Sequence, residues 1–270
     1  MAIRWSFGGL RSSGSTDRGP ATMLHWHCHT VFDRMPPAVA AGGIAIVIDV
    51  LRASTTMITA LAHGARRIMP VADLDEARRL AADLEPPVLL GGERGGIRLP
   101  GFDLGNSPLD YTPARVAGQT LVITTTNGTA ALYAARAARE ILIGAIINRS
   151  AVAAAIRSLA RDEDSIHLVC AGTDGLVTAE DLLAAGAILD AAGADAAGDS
   201  LDPAAREALA QFRRTAASDD LPAALVAEFR RSPGGANLVD LGMAADLPVA
   251  AAIDTLTVVP RFHPATADLR

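Results

Sequence analysis

An unbroken apolar run at residues 44–48 leads directly into a cluster of polar side chains. The run reads IAIVI, and it is followed by an acid, Asp49, a base, Arg52, and the three hydroxyls of residues 54–56. A short, wholly apolar run is typical of a strand buried on both faces of a parallel sheet. An open α/β sheet places its chemistry at the carboxyl ends of such strands. The helix expected next would add free N–H groups and a positive dipole, which favour an anion.

Later segments repeat this order of strand, polar loop and helix. Residues 121–123 lead into the hydroxyls and amide of 124–127, and residues 141–147 lead into Asn148. The loop GGERGG at 91–96 also follows a strand and carries a Glu–Arg pair. One such junction alone needs only a turn and a helix cap. Several of them predict the walls of a shared oxyanion pocket in an α/β fold with mostly parallel sheet.

The charge and composition narrow the classes of partner. A net charge of −6 leaves no basic surface that could release counterions from a nucleic acid. No apolar run reaches the ~20 residues of a membrane span, and no signal-peptide core is present. Two cysteines, Cys28 and Cys170, are too few for a disulfide framework or a structural zinc site. We therefore expect a soluble, cytoplasmic protein without a nucleic-acid or membrane partner.

All 24 basic residues are arginine, because the chain contains no lysine. That excludes Schiff-base chemistry, a lysine base and a P-loop lysine. A serine-nucleophile elbow and a dinucleotide glycine fingerprint after the first strand are also missing. An anion bound here would be held by forked guanidinium groups and backbone amides.

The row of alternating residues at 24–31 places His25, His27 and His29 on one face of a strand. Such a row can hold zinc only if further ligands come from elsewhere. The favoured interpretation is an edge strand with a polar face.

The acids near the strand ends indicate a metal. They are Asp49, Glu93, Asp103, Glu180 and Asp181. Glu180 and Asp181 fit equally well the first turn of a helix. Mg²⁺ needs one or two carboxylates, and water and phosphate oxygens complete its octahedron. Together with Arg52, Arg94 and the hydroxyl clusters, these acids are typical of metal-assisted phosphoryl chemistry.

Four motifs resemble, in order, those of the 2-phosphosulfolactate phosphatases. They are DVLRASTT at 49–56, GGERGG at 91–96, GFDLGNSP at 101–108 and TTTNGT at 124–129. The resemblance implies a Mg²⁺-dependent phosphatase that hydrolyses (2R)-phosphosulfolactate to sulfolactate and phosphate, a step of coenzyme M biosynthesis in archaea. It also implies two α/β domains, with the site at the carboxyl ends of the strands in the cleft between them. A homodimer is expected on the same ground.

We expect the first α/β domain over residues 23–145 and the second over 146–260. Residues 1–22 are expected to form a flexible tail because they are rich in Gly, Ser and Arg and have no apolar period. A second tail is expected over 261–270.

The predicted site combines the motif residues with the junction residues. The predicted catalytic residues are Asp49, Arg52 and Glu93, and the predicted metal ligands are Asp49, Glu93 and Asp181. The predicted substrate-binding residues are Arg52, Ser54, Thr55, Arg94, Asn106, Ser107, Thr125, Thr126, Asn127, Thr129 and Asn148. Whether Asp49 holds the metal or the attacking water stays open. Two alternatives also stay open: a phosphatase for another small phosphorylated acid, and a non-catalytic protein that binds such an acid.

Overall fold

A computed structural model describes residues 23–36, 38–195 and 198–270. The tail predicted at 1–22 lies outside the described residues. Within these ranges the chain forms two mostly parallel β-sheets and ten α-helices. The predicted α/β fold with mostly parallel sheets is therefore confirmed.

The elements have the following bounds. The strands are β1 (His25–His29), β2 (Ile44–Ile48), β3 (Arg67–Pro70), β4 (Val88–Arg94), β5 (Ile97–Arg98), β6 (Thr120–Thr124), β7 (Glu140–Gly144), β8 (Ser165–Cys170), β9 (Ser200–Leu201), β10 (Phe262–His263) and β11 (Asp268–Leu269). The helices are α1 (Ala53–Ala62), α2 (Leu74–Asp83), α3 (Pro113–Val116), α4 (Gly128–Ala134), α5 (Arg149–Leu159), α6 (Ala179–Ala192), α7 (Pro203–Ala216), α8 (Leu221–Arg231), α9 (Pro233–Asp240) and α10 (Asp246–Ala250).

The first sheet is parallel and has the strand order β7-β2-β8-β1-β9. Strand β2 lies inside it, with Ile46 opposite Leu142 on one side and Leu168 on the other. All five residues of β2 are buried, as its unbroken apolar run predicts. The sheet takes strands from both sides of residue 145, where the sequence predicts a domain boundary. That boundary stays a prediction.

The second sheet has the order β10-β11-β3-β6-β4-β5. Strands β3, β6 and β4 are parallel, and the short strands at both edges run antiparallel to their neighbours. Residues 261–270, for which a tail is expected, form the β10–β11 hairpin instead, and Leu269 pairs with Ile68 of β3. The physical reason is burial, since the side chains of Phe262 and Leu269 lie in the core.

Helices α1 and α4 lie between the two sheets. Met57 of α1 and Leu132 of α4 share one core with Val47 of the first sheet and Ile123 of the second. Helices α6, α7 and α8 cover the opposite face of the first sheet, and α2 covers the outer face of the second. None of the helices in the described ranges has the length and apolar character needed to cross a membrane.

The predicted row of histidines lies on β1 and forms a stacked face with His167 of β8. The rings of His27 and His29 lie 5.1 and 5.3 Å from that of His167, centroid to centroid. Nε2 of His29 lies 3.0 Å from Nδ1 of His167. Across the described residues, no group of three metal-binding side chains is placed to hold an ion. The histidines form the polar face that was expected, but the expected edge strand is wrong, because β9 pairs with His25 and Trp26 on the other side of β1.

Candidate active site

A cavity of about 300 Å³ lies where strands of both sheets end. We call it the strand-end cavity. Its lining comes from the segments that follow β2, β4, β6 and β8, from the loop at Asn106 and from helix α9. The lining residues are Asp49, Leu51, Arg52, Glu93, Gly95, Gly96, Asn106, Thr126, Asn127, Thr173, Asp174, Pro233, Gly234, Asn237 and Leu238.

Asp49 directly follows β2 and closes the turn into α1. Its Oδ1 accepts a hydrogen bond from the N–H of Ala53 at 3.1 Å, and its own N–H donates to Oγ of Ser54 at 2.9 Å. Its Oδ2 faces Gly128 at the start of α4, where an added Cβ would lie 2.8 Å from Oδ2 and 2.5 Å from Cβ of Ala53. Only glycine leaves room here, so α4 begins in contact with the carboxylate.

Burial in a cluster of acids raises the pKa of several carboxyl groups. Burial raises the pKa of Asp49 well above its ordinary value, and the charges of Asp181 and Glu93 raise it further. Burial also raises the pKa of Asp181 to about 6, although backbone N–H groups donate to it. Burial and the charge of Asp181 raise the pKa of Glu180 to about 7. Burial therefore disfavours the ionised form of each of these carboxyl groups.

Asp181, a predicted metal ligand, lies behind the cavity lining and connects two strand ends. Its Oδ1 accepts from the N–H of Val50 and its Oδ2 from the N–H of Gly172, both at 2.9 Å. These N–H groups follow β2 and β8, which are neighbours in the first sheet. Both oxygens thus face donors of the protein, and the role of Asp181 as a metal ligand stays a prediction.

Glu93 lines the cavity from the end of β4. Its Oε1 accepts from the backbone N–H of Thr126 at 2.9 Å and from Oγ1 of that residue at 3.1 Å. Its Oε2 accepts from the N–H of Gly96 at 2.8 Å. The carboxylate therefore joins the β4–β5 turn to the loop that leads into α4, and it sets the shape of this side of the cavity.

Among the described residues, Arg52 is the one cation that lines the strand-end cavity. Its Nη1 donates to Oδ2 of Asp246 at 2.8 Å, and its Nη2 donates to the carbonyl oxygen of Gly96 at 2.7 Å. The two side chains of this ion pair are 3% and 2% exposed. Arg94, also predicted to bind substrate, lies outside the lining and donates to Oγ1 of Thr124.

The other predicted substrate-binding residues fall into two groups. Three line the cavity: Asn106, Thr126 and Asn127. Six lie outside the lining and make hydrogen bonds within the protein: Ser54, Thr55, Ser107, Thr125, Thr129 and Asn148. Asn148, for example, donates to the carbonyl oxygens of Ile143 and Val258 where α5 begins. Local folding thus accounts for much of the polar character of the junctions.

Two amide side chains remain available in the cavity. Asn106 is only 6% exposed, and no described residue forms a hydrogen bond with its side chain. The side chain of Asn127 likewise makes no capping bond to α4. Both side chains line the cavity, so their amide groups are suited to bind polar atoms of a ligand or water.

Sequence reasoning missed the part of the lining that comes from beyond residue 170. Thr173 and Asp174 follow β8, and the strand-end signal used for the other junctions could have identified them. Gly234 and Asn237 belong to α9 and carry no such signal. Gly234 packs against a further acid, because an added Cβ would lie 3.0 Å from Oε1 of Glu180.

The donors of the strand-end cavity suit a divalent cation that takes few ligands from the protein. Asp49 and Glu93 line one cavity, and Mg²⁺ takes one or two carboxylates while keeping water and phosphate oxygens. Oε2 of Glu180 is buried and has no hydrogen-bond partner in the part of the chain that the structure describes. Burial is the main cause of the raised pKa of Asp49, with the charge of Asp181 next, and an added positive charge would favour its ionised form. Asp49 and Glu93 are the two predicted metal ligands that line the cavity, and their role as ligands stays a prediction.

Comparison with known proteins agrees with the resemblance of the motifs. A family model described as 2-phosphosulpholactate phosphatase matches residues 30–264. Three relatives carry the name "Probable 2-phosphosulfolactate phosphatase" and are each 43% identical to this chain. The protein of Symbiobacterium thermophilum aligns over 84% of this chain and 95% of its own length, that of Deinococcus radiodurans over 82% and 88%, and that of Synechococcus sp. over 84% and 92%. The chain belongs to the 2-phosphosulfolactate phosphatase family.

Proposed function

We propose that this protein is a Mg²⁺-dependent phosphatase that hydrolyses (2R)-phosphosulfolactate to sulfolactate and phosphate. The observation that carries the proposal is the meeting of Asp49, Arg52 and Glu93 around the strand-end cavity, in a chain of this family. Its three named relatives bear the same activity in their names. The substrate class that we propose for this site is a phosphate ester that carries further anionic groups.

The charge of the cavity supports the need for a cation. The charged residues of the lining are three acids, Asp49, Glu93 and Asp174, and one base, Arg52. That base is already paired with Asp246. A multiply charged substrate would meet strong repulsion in such a site unless a cation offset it. Mg²⁺, held by Asp49 and Glu93, would supply Lewis-acid polarisation of the phosphoryl oxygens.

The side chains of the protein bind and orient the reactants. Arg52 offers its remaining N–H groups to an oxyanion, and the amides of Asn106 and Asn127 donate to substrate oxygens. Asp49 faces the reacting phosphate from the end of β2 and either ligates the cation or orients the attacking water. The carboxylate of Glu93 also accepts from the N–H groups of Gly96 and Thr126, so it holds these two loops at the cavity as well as facing the cation.

The proposal extends to the setting of the enzyme. We place it in the cytoplasm, as a homodimer without a nucleic-acid partner, at a step of coenzyme M biosynthesis. The net charge of −6 supports the absence of a nucleic-acid partner. Two buried free cysteines are consistent with a reducing compartment.

A related phosphatase for another small phosphorylated acid is the second candidate. The observation that favours it is the single cation, Arg52, in the described lining. A guanidinium group binds carboxylate and sulfonate nearly alike, so the cavity has no evident means of separating them by charge alone.

A substrate panel tests the proposal. We expect (2R)-phosphosulfolactate to give the highest kcat/KM in Mg²⁺, above 2-phospholactate and p-nitrophenyl phosphate, with turnover lost in EDTA and restored by added Mg²⁺. Mg²⁺ should also raise the melting temperature, because it binds the native acids. Equal or faster turnover of 2-phospholactate would favour the second candidate. Tight binding of phosphosulfolactate without hydrolysis of any ester would favour a non-catalytic binding protein.

A further inference from the structure

Asp246 is a buried acid that faces Arg52 from the start of α10. Its Oδ2 accepts from Nη1 of Arg52 at 2.8 Å, and its Oδ1 accepts from Oγ of Ser107 at 2.6 Å. Asp246 is 1% exposed and does not itself line the strand-end cavity. The two partners come from distant parts of the chain, so the contact depends on the tertiary fold.

The bonds of Arg52 within the protein leave few donors for a ligand. A guanidinium group has five N–H donors. Nη1 of Arg52 donates to Asp246 and to Sδ of Met243, the latter at 3.0 Å, and Nη2 donates to Gly96. Within the described ranges, the Nε–H and one Nη2–H have no partner. Because Arg52 lines the cavity, these two N–H groups are the ones that a bound oxyanion can use.

We propose that Asp246 is a positioning residue, which fixes the guanidinium group of Arg52 so that its remaining donors bind an oxyanion in the strand-end cavity. The identity of that oxyanion, the phosphate or the second anion of the substrate, rests on the proposed function. The geometry of the Asp246–Arg52 pair does not rest on the proposed function. A guanidinium group held in place before binding loses less conformational entropy when the ligand arrives, so the anion binds more tightly.

Asp246 also keeps Arg52 from the acids of the cavity. Asp49 and Glu93 share the lining with Arg52, and opposite charges attract strongly where water is scarce. An Arg52 side chain without its partner at α10 would be drawn towards those carboxylates. It would then compete with the cation and turn away from the anion.

A merely structural role for Asp246 is the competing explanation. The pair joins α10 to the loop before α1, and removal of one partner from a buried ion pair destabilises a protein. That role predicts a lower melting temperature and less folded enzyme. It predicts no change in the KM of the folded enzyme or in its affinity for anions.

The decisive variant is Asp246→Asn in the full chain. We expect the KM for (2R)-phosphosulfolactate and the Kd for inorganic phosphate, measured by calorimetry, to rise at least tenfold, while kcat falls less. Asp254→Asn is a control with similar partners at a less buried place, since Asp254 also accepts from an arginine and a serine, Nε of Arg149 at 3.1 Å and Oγ of Ser150 at 2.7 Å. It does not line the cavity, so its KM and phosphate Kd should stay within twofold of wild type.

A double-mutant cycle with Arg52→Lys isolates the coupling. We expect Asp246→Asn to change the phosphate Kd less than twofold when Arg52 is already lysine. The inference would be overturned if Asp246→Asn had an equal effect in both backgrounds or left the phosphate Kd unchanged. It would also be overturned if the wild type did not bind phosphate. If Asp246→Asn does not fold, Ser107→Ala serves in its place, because it removes only the bond to Oδ1 of Asp246. We expect it to raise the phosphate Kd to a smaller extent, and an unchanged Kd would overturn the inference. If no phosphoester is hydrolysed, the proposed function fails, and the phosphate cycle still decides the role of Asp246.

Discussion

Gly128 lies in close contact with two residues of the turn after β2. A Cβ at this position would lie 2.5 Å from Cβ of Ala53 and 2.8 Å from Oδ2 of Asp49. Neither neighbour can move easily, because the hydrogen bond between Asp49 and the N–H of Ala53 fixes both in the turn after β2. The start of α4 and the carboxylate are therefore positioned together.

Replacement Gly128→Ala should disturb this contact. We expect kcat to fall at least tenfold and the free energy of unfolding to fall by about 1–3 kcal/mol, because the new methyl group forces the backbone apart. Phosphate release and urea unfolding measure the two effects. Gly105→Ala is the control, since its Cβ would meet only Arg98 at an ordinary 3.4 Å. A Gly128→Ala enzyme with wild-type kcat would show that the close approach is not needed.

Residue type and position predict part of the candidate site. Asp49, Glu93 and Asn127 follow apolar strands, and the carboxyl end of a buried strand is where polar groups meet a ligand. The hydroxyls of Ser54 and Thr55 have the same position but bond to Asp49 and to the carbonyl oxygen of Val50. A hydroxyl near a helix start can serve the backbone or a ligand, and the sequence does not distinguish the two.

The paired strands β1 and β8 carry a buried titratable group away from the cavity. Burial lowers the pKa of His167 to about 4, and the charges of His29 and His27 lower it further, while Asp202 opposes them. An unfolded chain would bind a proton at the ordinary histidine value. The native state thus binds fewer protons than the unfolded state as the pH falls below about 6.5, and its stability declines towards pH 4.

The variant His167→Gln should flatten this acid-side decline. Between pH 7 and pH 5 we expect the wild type to lose on the order of 2 kcal/mol more than the variant, because glutamine takes up no proton. Guanidinium unfolding at the two pH values measures the difference, with the exposed His263→Gln as the control. Equal losses in wild type and His167→Gln would contradict the assignment.

At the scale of elements, segments with a clear apolar pattern can be predicted from the sequence, and two-residue strands cannot. The apolar run of β2 and the polar turn after it predict a buried strand that leads into α1, and both are present. The two-residue strands β10 and β11 have no period to recognise, so residues 261–270 resemble a tail in sequence. Strand β10 pairs with β11 and β11 pairs with β3, and this arrangement buries Phe262 and Leu269.

At the scale of the whole molecule, two sheets meet at one cavity because α1 and α4 pack between them. The first sheet contributes the ends of β2 and β8, and the second contributes the ends of β4 and β6. Strand-end patterns predict each of these edges separately. The contributions of α9 and of Asp246 depend on long-range packing, which leaves no local pattern in the sequence.

The most direct test of this site compares wild type and Asp49→Asn in the release of phosphate from (2R)-phosphosulfolactate with Mg²⁺. We expect kcat to fall by about 10²–10⁴-fold, as for the loss of a group that binds the metal or orients the attacking water. Without Mg²⁺ the melting temperature should not fall, because the carboxyl group of Asp49 is unfavourable to ionise where it lies and asparagine has the same shape. A folded Asp49→Asn protein with near-wild-type kcat would contradict the assignment of the strand-end cavity as the active site.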